Sequence, residues 1–199
     1  MTRIPPLLPD ALTDRQKEVY EAIVAGPRGR VAGPLAVWLN RPELADRAQA
    51  LGQYCRFDTS LPARLSELAI LTTARVWSSE FEWAAHKPIA RDAGVSAEVI
   101  EAIRTGQKPT FAFDDEAIVY EFSQRLHTER TIDDELYKRA VSVLGETGVV
   151  DLTGILGYYT LISMTINTFD VAPPEGHQPE LEPFTSIWKR LRSVFRPPR

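Results

Sequence analysis

Cysteine is almost absent: Cys55 stands alone among 199 residues. One thiol cannot close an intramolecular disulfide, and it cannot supply a C-x-x-C redox pair. Histidine is scarce as well. There are three, His86, His127 and His177, and no H-E-x-x-H, so a strong zinc signature is missing. No run of about 18 uninterrupted apolar residues occurs, so no membrane span is expected. Positive charge is not in excess either. Lys and Arg number 23 against 27 Asp and Glu, a net charge of −4, which leaves a weak electrostatic case for nucleic acid. The N-terminal MTRIPPLLPD has no apolar core of the signal-peptide kind. These absences together point to a cytoplasmic protein kept reduced.

Strand signals are also wanting: there is no hairpin turn pattern and little clean alternation. What the chain does have is helical periodicity, over a length that suffices for one domain with a sizeable core. Hydrophobic residues at 44% and charged residues at 25% are ordinary for a globular fold. An extended, Pro-rich arm precedes a helix to about Ala25, capped by Thr13 or Asp14. GPRGRVAGP reads as a loop, PLAVWLN as a short apolar turn of helix, and Pro42 as the first turn of the next helix. Cys55 falls on the apolar face of that helix, which makes it a core thiol. A long helix follows Ser60 and Pro62, with a break near Ser78 and a cap at Ser78 or Ser79 for a helix starting at Glu80. Pro88 predicts a kink near His86. Ser96 caps a compact helix that Gly106 ends. Further helices are expected from Asp114 to about Thr128, from Ile132 to Leu144, and from about Glu146 to Thr168. The amphipathic SIWKRLRSVFR follows a turn-rich stretch. The expectation is an all-α chain of seven to nine helices in a single domain.

The densest chemistry lies in SSEFEWAAHKP, residues 78–88. At about 100° per residue, Ser79, Glu82 and His86 fall within roughly 60° of one another, with Trp83 flanking them and Phe81 on the opposite side. A Glu–His pair one turn apart serves equally as a surface contact worth a few tenths of a kcal/mol or as the inside of a site. The apolar flanks favour the interior, where such a pair is costly to keep unless it is used or well satisfied. A carboxylate beside an imidazole fixes its tautomer and raises its basicity, which suits proton transfer. A hydrolytic triad with Ser79 lacks a nucleophile turn and an oxyanion hole. Glu67, twelve residues earlier, sits amid apolar residues, either at the edge of an amphipathic helix or in the site. Arg75 on the same helix is either an ion-pair partner of Glu67 or Glu82 or a grip for an anionic substrate.

The run ELAILTTARVWSSEFEWAAHKPIARDAGVSAEVIEAIRTG, with GYYTLISMTINTFDVAPPEG as a second block, resembles the carboxymuconolactone decarboxylase family, which includes the alkylhydroperoxidase-D-like (AhpD-like) proteins. The resemblance implies an AhpD-like helical bundle over residues 26–173, between an N-terminal arm and helix (1–25) and a C-terminal tail (174–199). It also implies a homo-oligomer, as trimer, hexamer or dimer. The hydroperoxidase branch carries a Glu, eleven residues, then C-x-x-C-x-x-x-H. Here Glu67 and His86 take the places of the Glu and the His, while Ser79 and Glu82 stand where the cysteines would be. A hydroxyl forms no disulfide, so dithiol peroxidase chemistry is not expected. The decarboxylase branch has a Glu four residues before the His, as Glu82 and His86 do. Its reaction, loss of CO₂ from a carboxylated lactone, uses neither metal nor organic cofactor. By that resemblance His86 is the acid, Glu82 and Glu67 orient it, and Ser79 completes the catalytic set. Arg75 anchors a carboxylate, and Trp77, Trp83 and Tyr159 line the pocket for a small-molecule substrate. Asn167 and Tyr159 on the last helix serve as pocket lining or as satisfied core polar groups. Metal binding is not expected from one carboxylate–His pair. A peroxidase-like oxidoreductase and a non-enzymatic, ligand-binding helical oligomer remain the alternatives.

Overall fold

The computed structural model describes residues 2–5 and 7–182, so the amphipathic segment at 186–196 lies outside the described residues. It is all-α, as expected. A short 3-10 turn at Pro9–Ala11 interrupts the N-terminal arm. Among the described residues eight helices follow: α1 (Asp14–Ala25), α2 (Pro34–Trp38), α3 (Pro42–Gln53), α4 (Ala63–Trp77), α5 (Glu80–Asp92), α6 (Ala97–Thr105), α7 (Asp114–Thr128) and α8 (Asp134–Phe169). A π-helical turn at Tyr54–Asp58 prolongs α3. No strand occurs among the described residues.

The helix starts follow from caps written in the sequence. Thr13 and Gln16 form a reciprocal capping box on α1. Ser96 Oγ accepts the Val99 amide at 3.3 Å on α6, and Asp133 Oδ1 accepts the Leu136 amide at 2.8 Å on α8. Gly145 divides α8, with φ 74° and ψ 165° that only glycine adopts at ease. The two helices expected on either side of it are therefore both present, as the two arms into which this break divides α8. Pro88 lies inside α5, which runs through it as one helix from Glu80 to Asp92.

The centre of the molecule is α4, packed against α5, α7 and α8. Every residue from Leu65 to Arg75 is buried, so this is a helix covered all round, not an amphipathic one with an exposed edge. Its polar members find local partners: Thr72 and Thr73 donate their hydroxyls to the carbonyls of Leu68 and Ala69, at 2.8 and 2.9 Å. The second arm of α8 is a core helix as well, with Leu152, Ile155, Leu156, Tyr158 and Tyr159 buried, although Leu161 and Met164 on its outer side are exposed. By length and composition α8 is apolar enough to cross a membrane, yet 61% of its most apolar window is buried in this protein, as in a core helix. The chain after α8 returns as a strap: Glu180 receives Lys87 Nζ at 2.6 Å and Trp83 Nε1 at 3.2 Å, and Leu181 is buried.

Candidate active site

A tight turn brings the two chemical helices together. α4 ends at Ser78 in the left-handed region (φ 47°), and the Ser79 amide returns to the Ala74 carbonyl at 2.8 Å. The chain then enters α5 and folds back onto α4. Glu67 of α4 meets His86 of α5 across this contact: Oε2 lies 2.7 Å from Nδ1. One turn earlier on α5, Glu82 Oε2 lies 3.3 Å from Nε2 of the same ring. All three are buried, at 5%, 3% and 4% exposure for Glu67, His86 and Glu82. The Tyr159 ring stands edge-on to His86 with centroids 5.1 Å apart.

The electrostatics of this Glu–His–Glu line are set by a contest. Burial pulls the imidazolium toward its neutral form, while the Glu67 charge and hydrogen bond, joined by Glu82, push the other way and win. The His86 pKa is raised to about 9. At neutral pH His86 is therefore an imidazolium that donates Nδ1–H to Glu67 and holds Nε2 in ion-pair contact with Glu82. Burial also drives the Tyr159 phenol well above its ordinary range, so it stays protonated.

His86 and Glu82 open on a cavity of about 230 Å³; Glu67 lies behind them and does not line it. The apolar wall includes Leu35, Phe81, Ile89 and Ile162, and Tyr159 closes one side. Three guanidinium groups, Arg28, Arg30 and Arg56, complete the lining. Arg28 Nη2 donates to Tyr158 Oη at 3.2 Å, while its buried Nε has no partner among the described residues. Gly52 makes room for that pair, because a Cβ there would sit 2.0 Å from Tyr158 Oη and 2.4 Å from Arg28 Nη2. Among the described residues no cluster of three or more His, Cys, Asp or Glu side chains is disposed to hold a metal ion.

Glu67, Glu82, His86 and Tyr159 thus converge as the sequence suggested, and the other expected residues lie elsewhere. Arg75 donates its Nε to the Arg104 carbonyl at 2.9 Å and does not line the cavity, so it cannot grip a ligand there. Trp83 is fully buried on another side of α5, its indole N–H turned to Glu180 of the strap. Trp77 and Asn167 line a separate surface pocket, where Asn167 Nδ2 donates to the Trp77 carbonyl at 2.8 Å. Ser79 is the N-cap residue of α5, not a helical one; its fully buried Oγ makes no hydrogen bond among the described residues and does not line the cavity. Phe81, placed opposite the polar stripe by helical spacing, is a cavity wall, because the cavity spreads from α5 onto α2 and α8. The arginines were missed altogether. Their one signal in the sequence is the alternation PRGR in a Gly-rich loop, which sets Arg28 and Arg30 two residues apart.

Cys55 is fully buried, and burial pushes its thiol up to about 11, so it is protonated and shielded.

The model of the carboxymuconolactone decarboxylase family matches residues 42–119, the span that carries Glu67, Glu82 and His86. The described residues have an AhpD-like fold. The chain is similar to an alkylhydroperoxidase AhpD core, a peroxidase-related protein of Ralstonia eutropha JMP134, with TM-score 0.72, 16% identity, and 87% of this chain and 93% of that one covered. A peroxidase-related protein from Silicibacter sp. TM1040 aligns with TM-score 0.70 and 13% identity over 87% and 92% of the two chains. A protein of unknown function from Agrobacterium tumefaciens aligns with TM-score 0.61 and 16% identity over 69% and 95%. At these identities the likeness speaks for the fold alone. No curated protein matches the sequence.

Proposed function

We propose that this protein is a cofactor-free, carboxymuconolactone decarboxylase-like lyase acting on a small anionic cyclic acid or lactone. The observation that carries the reading is the buried imidazole held between Glu67 and Glu82 at the edge of a small cavity. Glu67 is the positioning residue: it fixes the ring through Nδ1 and stabilises its charge. His86, at the cavity face with Glu82, is the proton donor. In such a reaction the bond to the departing carboxylate breaks, and its electron pair moves into the conjugated carbonyl of the ring. CO₂ leaves, and the proton from His86 Nε2, passed directly or through Glu82, reaches the carbon that completes the product.

A thiol peroxidase reading, which the descriptions of the structural neighbours bring to mind, is disfavoured by Ser79 and Glu82 at the two cysteine positions and by the buried Cys55. The test is CO₂ release from carboxymuconolactone and related lactone acids. Turnover that disappears in His86→Gln and is sharply reduced in Glu82→Gln supports the assignment. Turnover equal to the parent in His86→Gln removes it.

A further inference from the structure

Tyr158 and Tyr159 are neighbours on α8, and their hydroxyls have different fates. Tyr158 Oη accepts Arg28 Nη2 at 3.2 Å. Tyr159 Oη makes no hydrogen bond among the described residues, although the residue is only 2% exposed. Nor is that hydroxyl sealed off. The unpartnered side-chain atoms shut away from solvent among the described residues are Arg28 Nε, Trp77 Nε1, Ser79 Oγ and Ser163 Oγ, and Tyr159 Oη is not one of them. The oxygen therefore touches open space, and the space that Tyr159 borders is the cavity beside His86 and Glu82. A nearly buried hydroxyl with no partner is costly as core packing and well suited to serve as a donor.

The ring that carries it is held on two sides. Tyr159 stands edge-on to His86, with centroids 5.1 Å apart and planes at 88°, and edge-on to Tyr158, at 5.4 Å and 89°. These contacts fix the ring plane in advance, as a preorganised donor requires. Burial, with the Glu82 and Glu67 charges behind it, holds the phenol well above its ordinary range, so the proton stays on oxygen at neutral pH. Neither carboxylate takes the O–H, because both close on His86.

The lyase chemistry has a need that the Glu67–His86–Glu82 line leaves unmet. As the bond to the departing carboxylate breaks, its electron pair runs through the conjugated system to the carbonyl, and charge gathers on that oxygen as an enolate. His86 then gives its proton to carbon, the pair returns from oxygen, and the carbonyl reforms. Between these events the oxygen is anionic in a cavity walled partly by Leu35, Phe81 and Ile162, and a donor aimed at it lowers the barrier. The oxygen and the carbon that takes the proton belong to one conjugated unit, and the phenol and imidazolium beside them are adjacent rings.

We propose that Tyr159 is a catalytic residue: its O–H donates a hydrogen bond to the carbonyl oxygen on which charge develops as CO₂ departs, while His86 supplies the proton to carbon. The phenol keeps its own proton throughout, so His86 alone loses one, and solvent restores it. This deepens the lyase reading, on which it rests for the identity of the oxygen.

The experiment compares the full chain with Tyr159→Phe, which keeps the ring and its edge-on contacts and removes one oxygen. For CO₂ release from carboxymuconolactone, kcat is expected to fall about a hundredfold with KM nearly unchanged, because the bond strengthens only as the enolate forms. The urea midpoint and the His86 ring titration are expected to match the parent, which separates loss of the donor from loss of the fold or of the acid. A second measurement is independent of turnover: calorimetric titration with tetronic acid, a small lactone that is an enolate anion at neutral pH, and with the neutral butenolide lacking its hydroxyl. Tyr159→Phe is expected to bind tetronate about tenfold more weakly and the butenolide as the parent does. Turnover equal to the parent in Tyr159→Phe, tetronate held equally by both proteins, or no tetronate bound by the parent overturns the proposal. A parent that releases no CO₂ refutes the lyase reading instead, and the tetronate comparison then decides whether the phenol holds an enolate oxygen.

Discussion

Glu67 and His86 lie 19 positions apart in the chain and 2.7 Å apart in space, joined across the α4–α5 contact with almost no exposure to solvent. That contact decides the ionisation of the site. Burial alone would leave the imidazole neutral, and the carboxylates reverse it, so His86 titrates near 9. Its ring signals in a pH series followed by NMR are expected to stay in the imidazolium form through neutral pH and to move only in the alkaline range. Glu67→Gln keeps the shape and removes the charge, so the midpoint should fall by more than about one unit. Glu82→Gln should lower it less, because its contact is longer at 3.3 Å. A midpoint that Glu67→Gln leaves in place would show that the pair is not coupled.

The same shift has a consequence for stability. The folded pKa of about 9 lies above the ordinary histidine value of 6.5. The folded state therefore holds its proton more tightly than the unfolded chain does. The stabilisation from this group is fully present below 6.5 and is lost as pH rises through about 9. Denaturation midpoints of the parent are expected to decline over that window, and those of Glu67→Gln to decline much less. Equal slopes in the two proteins would contradict the linkage.

Cys55 tests the distinction from thiol chemistry. A fully buried thiol with a pKa of about 11 is a poor nucleophile. Alkylating reagents are expected to leave the native protein unmodified near neutral pH and to label one site once it is unfolded. Cys55→Ala should cost about 1–2 kcal/mol through lost packing, read by urea denaturation, with no effect on lyase turnover. Consumption of organic hydroperoxide that vanished in this variant would reinstate a peroxidase role.

Ser79 was legible as part of a polar stripe only on the assumption that it is helical. As the N-cap residue it turns inward, and its Oγ is buried without a partner among the described residues. Removing an unsatisfied hydroxyl relieves a penalty of about 1–3 kcal/mol, so Ser79→Ala is expected to keep the parent's stability or to raise it. Lyase turnover should persist. A selective loss of turnover at unchanged stability would return Ser79 to the site.

What the sequence revealed follows a physical division. Helix starts are local, and Thr13, Ser96 and Asp133 cap where their side chains predict. The Glu82–His86 pair is local too, one helical turn apart. The partnership with Glu67 came with the family spacing, not with periodicity, which could not separate an amphipathic edge from a helix buried on every side. Arg75, Trp77 and Trp83 were misplaced because nearness along α4 and α5 says nothing about which neighbour covers each face. Trp83 faces a strap almost a hundred residues later in the chain. Arg28, Arg30 and Arg56 come from the loop after α1 and the π-turn after α3, and only tertiary folding sets them beside His86.

That strap offers a further measurement. Glu180 accepts the Trp83 indole N–H at 3.2 Å and Lys87 Nζ at 2.6 Å, and its carbonyl receives Arg104 Nη1 at 3.0 Å. Trp83 is fully buried, so Glu180→Ala strands its N–H unless the strap moves to admit water. The variant is expected to lose about 1–3 kcal/mol in denaturant, with a change in tryptophan emission. Glu180→Gln, which still accepts the indole N–H, should recover most of the loss. If both variants match the parent, the strap does not hold α5.

Gly52 carries the last prediction, because it joins core packing to ligand recognition. A methyl group at this position would overlap Tyr158 Oη at 2.0 Å and Arg28 Nη2 at 2.4 Å. Tyr158 is fixed in the core at 2% exposure and edge-on to Tyr159, so the arginine is the freer of the two to yield. Gly52→Ala is expected to cost about 1–3 kcal/mol through overpacking and to displace Arg28 from its preset position. Lyase turnover should then fall while the His86 titration stays where the parent has it, since neither Glu67 nor Glu82 is touched. Unchanged turnover in a destabilised Gly52→Ala would mean that the Arg28–Tyr158 pair belongs to the scaffold and takes no part in holding the substrate.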